Sequence, residues 1–94
     1  MVIALIFTSC GEKTDVVDSG TYTGVIDMVE PSKTEIYVKT SDNKTLELYF
    51  TESTTLTRHG VPVEFSNLEE GQEVEVDVEK SGKRLDPIAV RILD

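Results

Sequence analysis

Gln72-Glu73-Val74-Glu75-Val76-Asp77-Val78-Glu79-Lys80 is the segment that decides the fold, because valine alternates in it with acidic residues. A period of two residues is typical of a β-strand with one buried face and one solvated face. Ile88, Val90 and Ile92 repeat the pattern after a Ser81-Gly82 turn signal. A two-residue Ser81-Gly82 turn would set Ile88 on the wrong face. We therefore expect either a bulge near Asp86-Pro87 that restores the buried face or a longer loop.

The chain before this hairpin shows the same alternation and predicts further strands at residues 20–29, 34–40, 45–50, 56–58 and 61–63. Gly24 lies inside the first of them. An internal glycine indicates a bulge or a sharp bend, which a small barrel needs in order to close.

The second and third of these strands form a hairpin whose register follows from its apolar residues. Alternation favours Val38 opposite Leu48, since a slip of one residue would turn every side chain to the other face. This register leaves residues 42–44 as the loop. It also places Tyr37 opposite Tyr49 on the outer face.

At 94 residues the chain has room for one domain, and its single cysteine leaves stability to a hydrophobic core. The apolar side chains on the predicted buried faces are Tyr22, Ile26, Met28, Ile36, Val38, Leu46, Leu48, Phe50, Leu56, Val63, Phe65, Leu68, Val74, Val76, Val78, Ile88, Val90 and Ile92. We predict an all-β fold, a small five- or six-stranded OB-like barrel of antiparallel hairpins with a flexible N-terminal segment.

The formal net charge is −9, from 18 acidic and 9 basic residues. Nucleic-acid binding draws its affinity from lysine and arginine contacts to phosphate. We therefore expect no nucleic-acid partner.

The first ten residues are uncharged, apolar through Phe7, and end in small residues before Cys10. Residues 2–7 are too few to span a bilayer, which takes about 20. Phe7-Thr8-Ser9-Cys10 resembles the bacterial lipobox, in which the cysteine is lipidated. The resemblance implies a signal-peptide remnant at 1–9, a lipidated Cys10 and tether at 10–19, and a barrel domain at 20–94. The alternative is that residues 2–7 form an edge strand or part of the core.

The domain also resembles a group of small exported bacterial β-domains of unknown function with OB-like barrels. The residues that carry this likeness are Gly24-Val25-Ile26, Thr54-Thr55 before His59-Gly60, the run from Phe65 to Val74, and Ala89-Val90-Arg91-Ile92. The resemblance implies a fold and an exported location, and it implies no activity.

The chain offers little material for catalysis. Its one histidine, His59, precedes Gly60 in a predicted turn, and Cys10 is committed to the N-terminus. A nucleophile needs an adjacent base, and a zinc site needs several cysteines and histidines. We expect no enzyme activity and no cofactor.

Two polar groups remain as candidate sites. Tyr37 and Tyr49 form either a stabilising cross-strand pair or a stacking platform for a sugar or peptide. The acidic row Glu73, Glu75, Asp77 and Glu79 is either a solvated face paired with basic residues of the next strand or a weak divalent-cation site.

The sequence therefore predicts a non-enzymatic lipoprotein of the bacterial cell envelope, periplasmic or surface-exposed. A lipid on Cys10 would anchor the protein to the membrane. The face that carries Tyr37 and Tyr49 would bind an envelope protein or glycan. The alternatives are a weak cation-binding domain that uses residues 73–79 and a ligand-free structural lipoprotein.

Overall fold

The computed structural model describes residues 14–94, which form one all-β domain. The strands are β1 (Gly20–Glu30), β2 (Glu35–Thr40), β3 (Thr45–Tyr49), β4 (Thr55–Arg58), β5 (Val61–Pro62), β6 (Glu73–Ser81) and β7 (Arg84–Ile92). Short 3₁₀ turns lie at Pro31–Lys33 and Phe65–Asn67. The all-β prediction is confirmed.

The seven strands form one sheet in the order β3-β2-β1-β6-β7-β4-β5. Every pairing is antiparallel except that of β4 with β7, which is parallel. The chain from Thr45 to Arg58 therefore passes from one side of the sheet to the other, since β3 pairs with β2 and β4 pairs with β7. Residues 50–54 separate β3 from β4, and the sequence likewise predicts two strands here. With the two-residue β5 the sheet has seven strands instead of the predicted five or six, and its hydrogen-bonded ladder is not continuous around a barrel.

The core is aliphatic and lies on one face of the sheet. Its buried side chains are Ile26, Ile36, Val38, Leu46, Leu48, Leu56, Leu68, Val74, Val76, Val78, Leu85, Val90 and Ile92. Phe50 and Phe65 pack at its margin in an edge-to-face pair with ring centroids 5.1 Å apart. Most of the predicted core is confirmed.

The bend in β1 lies at a different place from the one predicted. The register slips between Ile26 and Met28, so the bulge follows Ile26 and does not lie at Gly24. Because one extra residue inverts the alternation, Met28 faces out and is 41% exposed, contrary to the prediction. Gly24 serves close strand approach, since a Cβ there would collide with the carbonyl oxygen of Lys39 and the side chain of Val38.

The β2–β3 hairpin keeps the predicted faces but not the predicted partners. Val38 lies opposite Leu46, and Tyr37 lies opposite Glu47 and not opposite Tyr49. The loop has moved one residue toward the N-terminus because the Thr40 hydroxyl accepts a hydrogen bond from the Lys44 amide at 3.1 Å.

The β6–β7 hairpin turns at Gly82-Lys83, because Ser81 pairs with Arg84. The predicted turn at Ser81-Gly82 is one residue early. The predicted bulge near Asp86-Pro87 is confirmed, since Val78 pairs with Pro87 and Asp77 with Ala89. The bulge leaves Ile88 as the extra residue and 47% exposed, so Ile88 is not a core residue.

Residues 14–19, which the sequence places in the tether, hydrogen-bond to the domain. Asp15 makes two bonds to the backbone of Thr45, through its amide at 2.8 Å and its carboxylate at 2.9 Å. The Ser19 hydroxyl accepts a bond from the Lys80 amide at 2.8 Å. Cys10 and the signal-peptide remnant lie outside the described residues, and the boundary at Gly20 stays a prediction. Within residues 14–94, no helix has the length and apolar character needed to cross a membrane.

Candidate functional site

The outer face of β2 and β3 gathers two glutamates and two tyrosines. Ile36, Val38, Leu46 and Leu48 point into the core, so the residues between them point outward. We call the group Glu35, Tyr37, Glu47 and Tyr49 the tyrosine–glutamate cluster. It includes both tyrosines that the sequence singles out.

Glu47 holds the two tyrosines together. Its Oε2 accepts hydrogen bonds from the hydroxyl of Tyr49 at 3.0 Å and from that of Tyr37 at 3.4 Å. Tyr37 and Tyr49 are therefore joined through a carboxylate between them and not by the direct cross-strand contact that the sequence predicts. Tyr49 is 44% exposed, so the cluster reaches the surface.

Glu35 lies beneath this surface and is 1% exposed. Its Oε2 is the one buried side-chain nitrogen or oxygen atom among residues 14–94 that has no hydrogen-bond partner in that part of the chain. Sequence reasoning missed Glu35, because a glutamate at the start of a strand ordinarily reaches solvent. Glu35 lies diagonal to Glu47 on the outer face of the hairpin.

The Glu35 and Glu47 carboxyl groups hydrogen-bond to each other, and the environment separates their pKa values. Burial raises the pKa of Glu35, and the bond to Glu47 raises it further. The same bond lowers the pKa of Glu47, against its own desolvation. The interaction thus favours protonation of Glu35 over protonation of Glu47, as in other close carboxyl pairs.

The two phenols respond to the same negative charge. Burial and the neighbouring glutamates raise the pKa of Tyr37 to about 12, and the hydrogen bond to Glu47 raises that of Tyr49 to about 12. Both tyrosines are therefore neutral donors at physiological pH. The cluster thus combines two interacting carboxyl groups with two neutral phenols.

A cleft of about 240 Å³ opens beside Glu47 and Tyr49. Its other wall includes Thr14 and Asp15 from the N-terminal segment, and Lys83 and Arg84 from the β6–β7 hairpin. The cleft provides an approach to the cluster from solvent.

The acidic row on β6 is partly neutralised by β7. Arg91 donates to Glu75 at 2.8 Å and to both oxygens of Asp77 at 3.1 and 2.8 Å. The Arg91 hydrogen bond is the main cause that lowers the pKa of Asp77. Glu73 and Glu79 are exposed. The geometry thus places a guanidinium where the cation alternative would place a metal ion.

Other candidates contribute less. His59 lies in the exposed turn between β4 and β5, with a positive φ of 54°. No group of three or more histidine, cysteine, aspartate or glutamate side chains within residues 14–94 is arranged to hold a metal ion. A cavity of about 710 Å³ lies beside Phe50 and Phe65 and is lined by threonines and apolar side chains, with Glu52 as its acidic residue.

Sheet topology and core define a small all-β domain with one seven-stranded sheet. Known protein families and curated proteins give no match to the sequence. Among solved structures the fold is similar to a copper(II)-bound, tryptophan-to-alanine variant of CusF from Escherichia coli, with a TM-score of 0.65 at 13% identity over 82% of this chain and 94% of that one. It is also similar to silver-bound CusF, with a TM-score of 0.60 at 14% identity over 78% and 95%.

The apo form of Escherichia coli CusF gives a TM-score of 0.61 at 13% identity, over 82% of this chain and 89% of that one. Likeness at this identity shows the fold alone. Copper(I) and silver(I) are soft ions that favour thiolate, thioether and imidazole ligands. In residues 14–94 these donors are Met28 and His59, on β1 and on the β4–β5 turn. The described residues therefore do not form a soft-metal site.

Proposed function

We propose that this protein is a non-enzymatic domain of the bacterial cell envelope, anchored through Cys10, that binds a hard metal cation at the tyrosine–glutamate cluster. One observation carries the proposal. The carboxyl group of Glu35 is buried beside that of Glu47, and its Oε2 accepts no hydrogen bond from an amide or hydroxyl group of residues 14–94.

The arrangement is costly for stability. Burying an ionised carboxyl without a counter-charge is strongly unfavourable, and even the protonated form loses hydrogen bonds to water. An apolar side chain at position 35 would fill this buried position without this cost. A buried, perturbed carboxyl pair that the fold does not require is a recognised mark of a functional site.

The chemistry of the donors selects the class of ligand. Carboxylate and phenol oxygens are hard donors, which suit Ca²⁺, Mg²⁺ or Mn²⁺ better than copper(I) or silver(I). A bound cation would supply the positive charge that a proton on Glu35 supplies in its absence. Since two carboxylates form the core of the site, water would complete the coordination and the affinity would be modest.

Three other functions remain distinguishable by experiment. The exposed ring of Tyr49 and the half-buried ring of Tyr37 could hold a glycan or an envelope protein. The acidic row on β6 could take a cation if Arg91 moved away. A structural lipoprotein with no ligand would bind none of these.

Thermal unfolding with added ions separates them. We expect Ca²⁺ or Mn²⁺ to raise the Tm of the wild type, because a ligand that binds only the folded state adds about 2.7 kcal/mol at 100 times its Kd. Glu35→Gln should lose this shift, and the control Glu75→Gln should keep it. Loss of the shift in Glu75→Gln alone would assign the cation to the acidic row. No shift with any ion would overturn the proposal.

The anchor is tested separately by the intact mass of detergent-extracted protein, expressed in a bacterium with a complete signal sequence. A chain that begins at Cys10 and carries diacylglycerol and acyl groups would support the envelope location. An unprocessed, unlipidated chain would overturn it, whatever the cluster binds.

A further inference from the structure

We propose that the β6–β7 hairpin tip, formed by Lys80, Lys83 and Arg84, docks on anionic phospholipid headgroups and fixes the orientation of the anchored domain. This inference goes beyond cation binding and rests only on the anchor at Cys10. It follows from where the N-terminal segment leaves the domain and from how charge is distributed along β6.

The N-terminal segment leaves the domain beside the hairpin tip. Thr14 and Asp15 line one cleft together with Lys83 and Arg84, and Ser19 bonds to the Lys80 amide. Four peptide units separate Cys10 from Thr14, and a fully extended chain spans at most about 3.5 Å per residue, or about 14 Å here. A lipidated Cys10 therefore holds the membrane surface close to this end of the domain.

The hairpin tip concentrates positive charge on an acidic protein. Lys80, Lys83 and Arg84 are three of the nine basic residues in a chain of net charge −9, and all three are exposed. Lys80 and Lys83 form no ion pair with any residue of 14–94, while Arg84 contacts Asp86 at 3.0 Å. Asp86 and its cross-strand partner Glu79 lie next to the tip in the hairpin, and Asp15 and Glu47 line the cleft together with Lys83 and Arg84.

The opposite end of β6 carries the acids. Glu64, Glu69, Glu70 and Glu73 occupy a stretch with no basic residue, at the start of the strand that ends beside the tip. At about 3.3 Å per residue, β6 separates the two ends by roughly 26 Å. This distance is about three Debye lengths at physiological salt, so each end meets a charged surface independently of the other. An anionic membrane attracts the basic tip and repels the acidic end.

The lipid anchor holds the domain at the membrane, and each basic side chain near an anionic surface adds attraction that orients the domain. The tip and the anchor lie at one end, so they act on the membrane together. The orientation turns the acidic end away from the bilayer. It also leaves the cleft beside the cluster near the headgroup region.

Paramagnetic relaxation in nanodiscs tests the orientation. Because Cys10 is the single cysteine, the full chain can be coupled through it to a maleimide lipid, which imposes the anchor whether or not a cell lipidates the protein. Nanodiscs of phosphatidylcholine, with or without phosphatidylglycerol, would carry a gadolinium-chelating lipid. With phosphatidylglycerol, we expect relaxation enhancement several-fold larger at the amides of 80–84 than at those of 69–70.

The matched variants are Lys80→Gln/Lys83→Gln/Arg84→Gln and a control, Lys33→Gln/Lys39→Gln/Lys44→Gln, that removes the same charge elsewhere. The hairpin variant and high salt should each make the relaxation enhancement at amides 80–84 similar to that at amides 69–70. The control variant should keep the larger enhancement at 80–84. Equal enhancement at both ends in the wild type, or a gradient that survives the hairpin variant, would overturn the inference. Neither outcome depends on whether the cluster binds a cation.

Discussion

Glu35 and Glu47 share a hydrogen bond between their carboxyl groups on the outer face of β2 and β3, although the sheet does not place them opposite each other. Glu35 pairs across the strands with Tyr49, and Glu47 pairs with Tyr37. The carboxyl contact is therefore diagonal, and the two tyrosines complete the group. This contact makes an otherwise ordinary sheet surface a candidate site.

Replacing the buried acid should stabilise the domain. Glu35→Gln keeps the shape and a hydrogen-bond donor toward Glu47 but removes the ionisable group. We expect a gain of about 1 kcal/mol in the free energy of unfolding at pH 8, since burial of an uncompensated carboxyl costs about 1–3 kcal/mol. Urea denaturation would measure it. A clear loss of stability would mean that Glu35 serves the fold and not a ligand.

The pH dependence should follow the same residue. Because the pKa of Glu35 is raised in the folded state, its contribution is present below its unfolded value and is lost as the pH rises through the folded value. Wild-type stability should thus decline as the pH rises from the unfolded pKa to the folded pKa of Glu35 and level off above it, and the decline should be smaller in Glu35→Gln. Parallel pH profiles for the two proteins would contradict this assignment.

The ion pairs of Arg91 with Glu75 and Asp77, here called the Arg91 bridge, should affect stability in the acidic pH range. The lowered pKa of Asp77 contributes stability above its unfolded value that is lost as the pH falls through the folded value. Arg91→Gln should cost about 1 kcal/mol at pH 7, a modest amount because the group is partly exposed and solvent-screened. Arg84→Gln removes a more exposed pair and should change little. Equal costs for the two variants would show that the bridge has no special role.

Because β1 and β2 approach each other closely at Gly24, a larger residue there should strongly reduce the stability of the domain. An added methyl group would meet the Lys39 carbonyl oxygen and lie 2.8 Å from Val38 Cγ1, and backbone cannot move aside cheaply. Gly24→Ala should destabilise the domain by about 2 kcal/mol or more. Thr23→Ala on the same strand, at an exposed position, should remain within about 0.5 kcal/mol of wild type. Chemical denaturation would show whether the two variants differ.

The sequence predicts the fold better than the site. Alternation around Val74, Val76 and Val78 indicates strands and a core, because burial on one face imposes a period of two. Partners within hairpins depend on turn hydrogen bonds, such as that between Thr40 and Lys44, which alternation alone does not encode. The bulge after Ile26 depends likewise on packing.

The candidate site was accessible from the sequence only in part. Tyr37 and Tyr49 stand out as aromatic residues on an outer face, and the structure joins them through Glu47 instead of by direct contact. Glu35 could not be found this way, because its burial arises from the diagonal contact with Glu47 and from the tyrosines that cover it. Side-chain burial of this kind is a tertiary property.

The most direct test of the cluster is terbium luminescence sensitised by tyrosine. Tb³⁺ is a hard, oxygen-binding ion, and the chain has three tyrosines and no tryptophan, so tyrosine excitation alone can feed emission. We expect saturable emission from the wild type and little emission from Glu35→Gln. Tyr22→Phe is the control and should keep most of the emission, because the Tyr22 hydroxyl donates to the Asp18 carbonyl oxygen, away from the cluster. Full emission from Glu35→Gln would contradict the cation site.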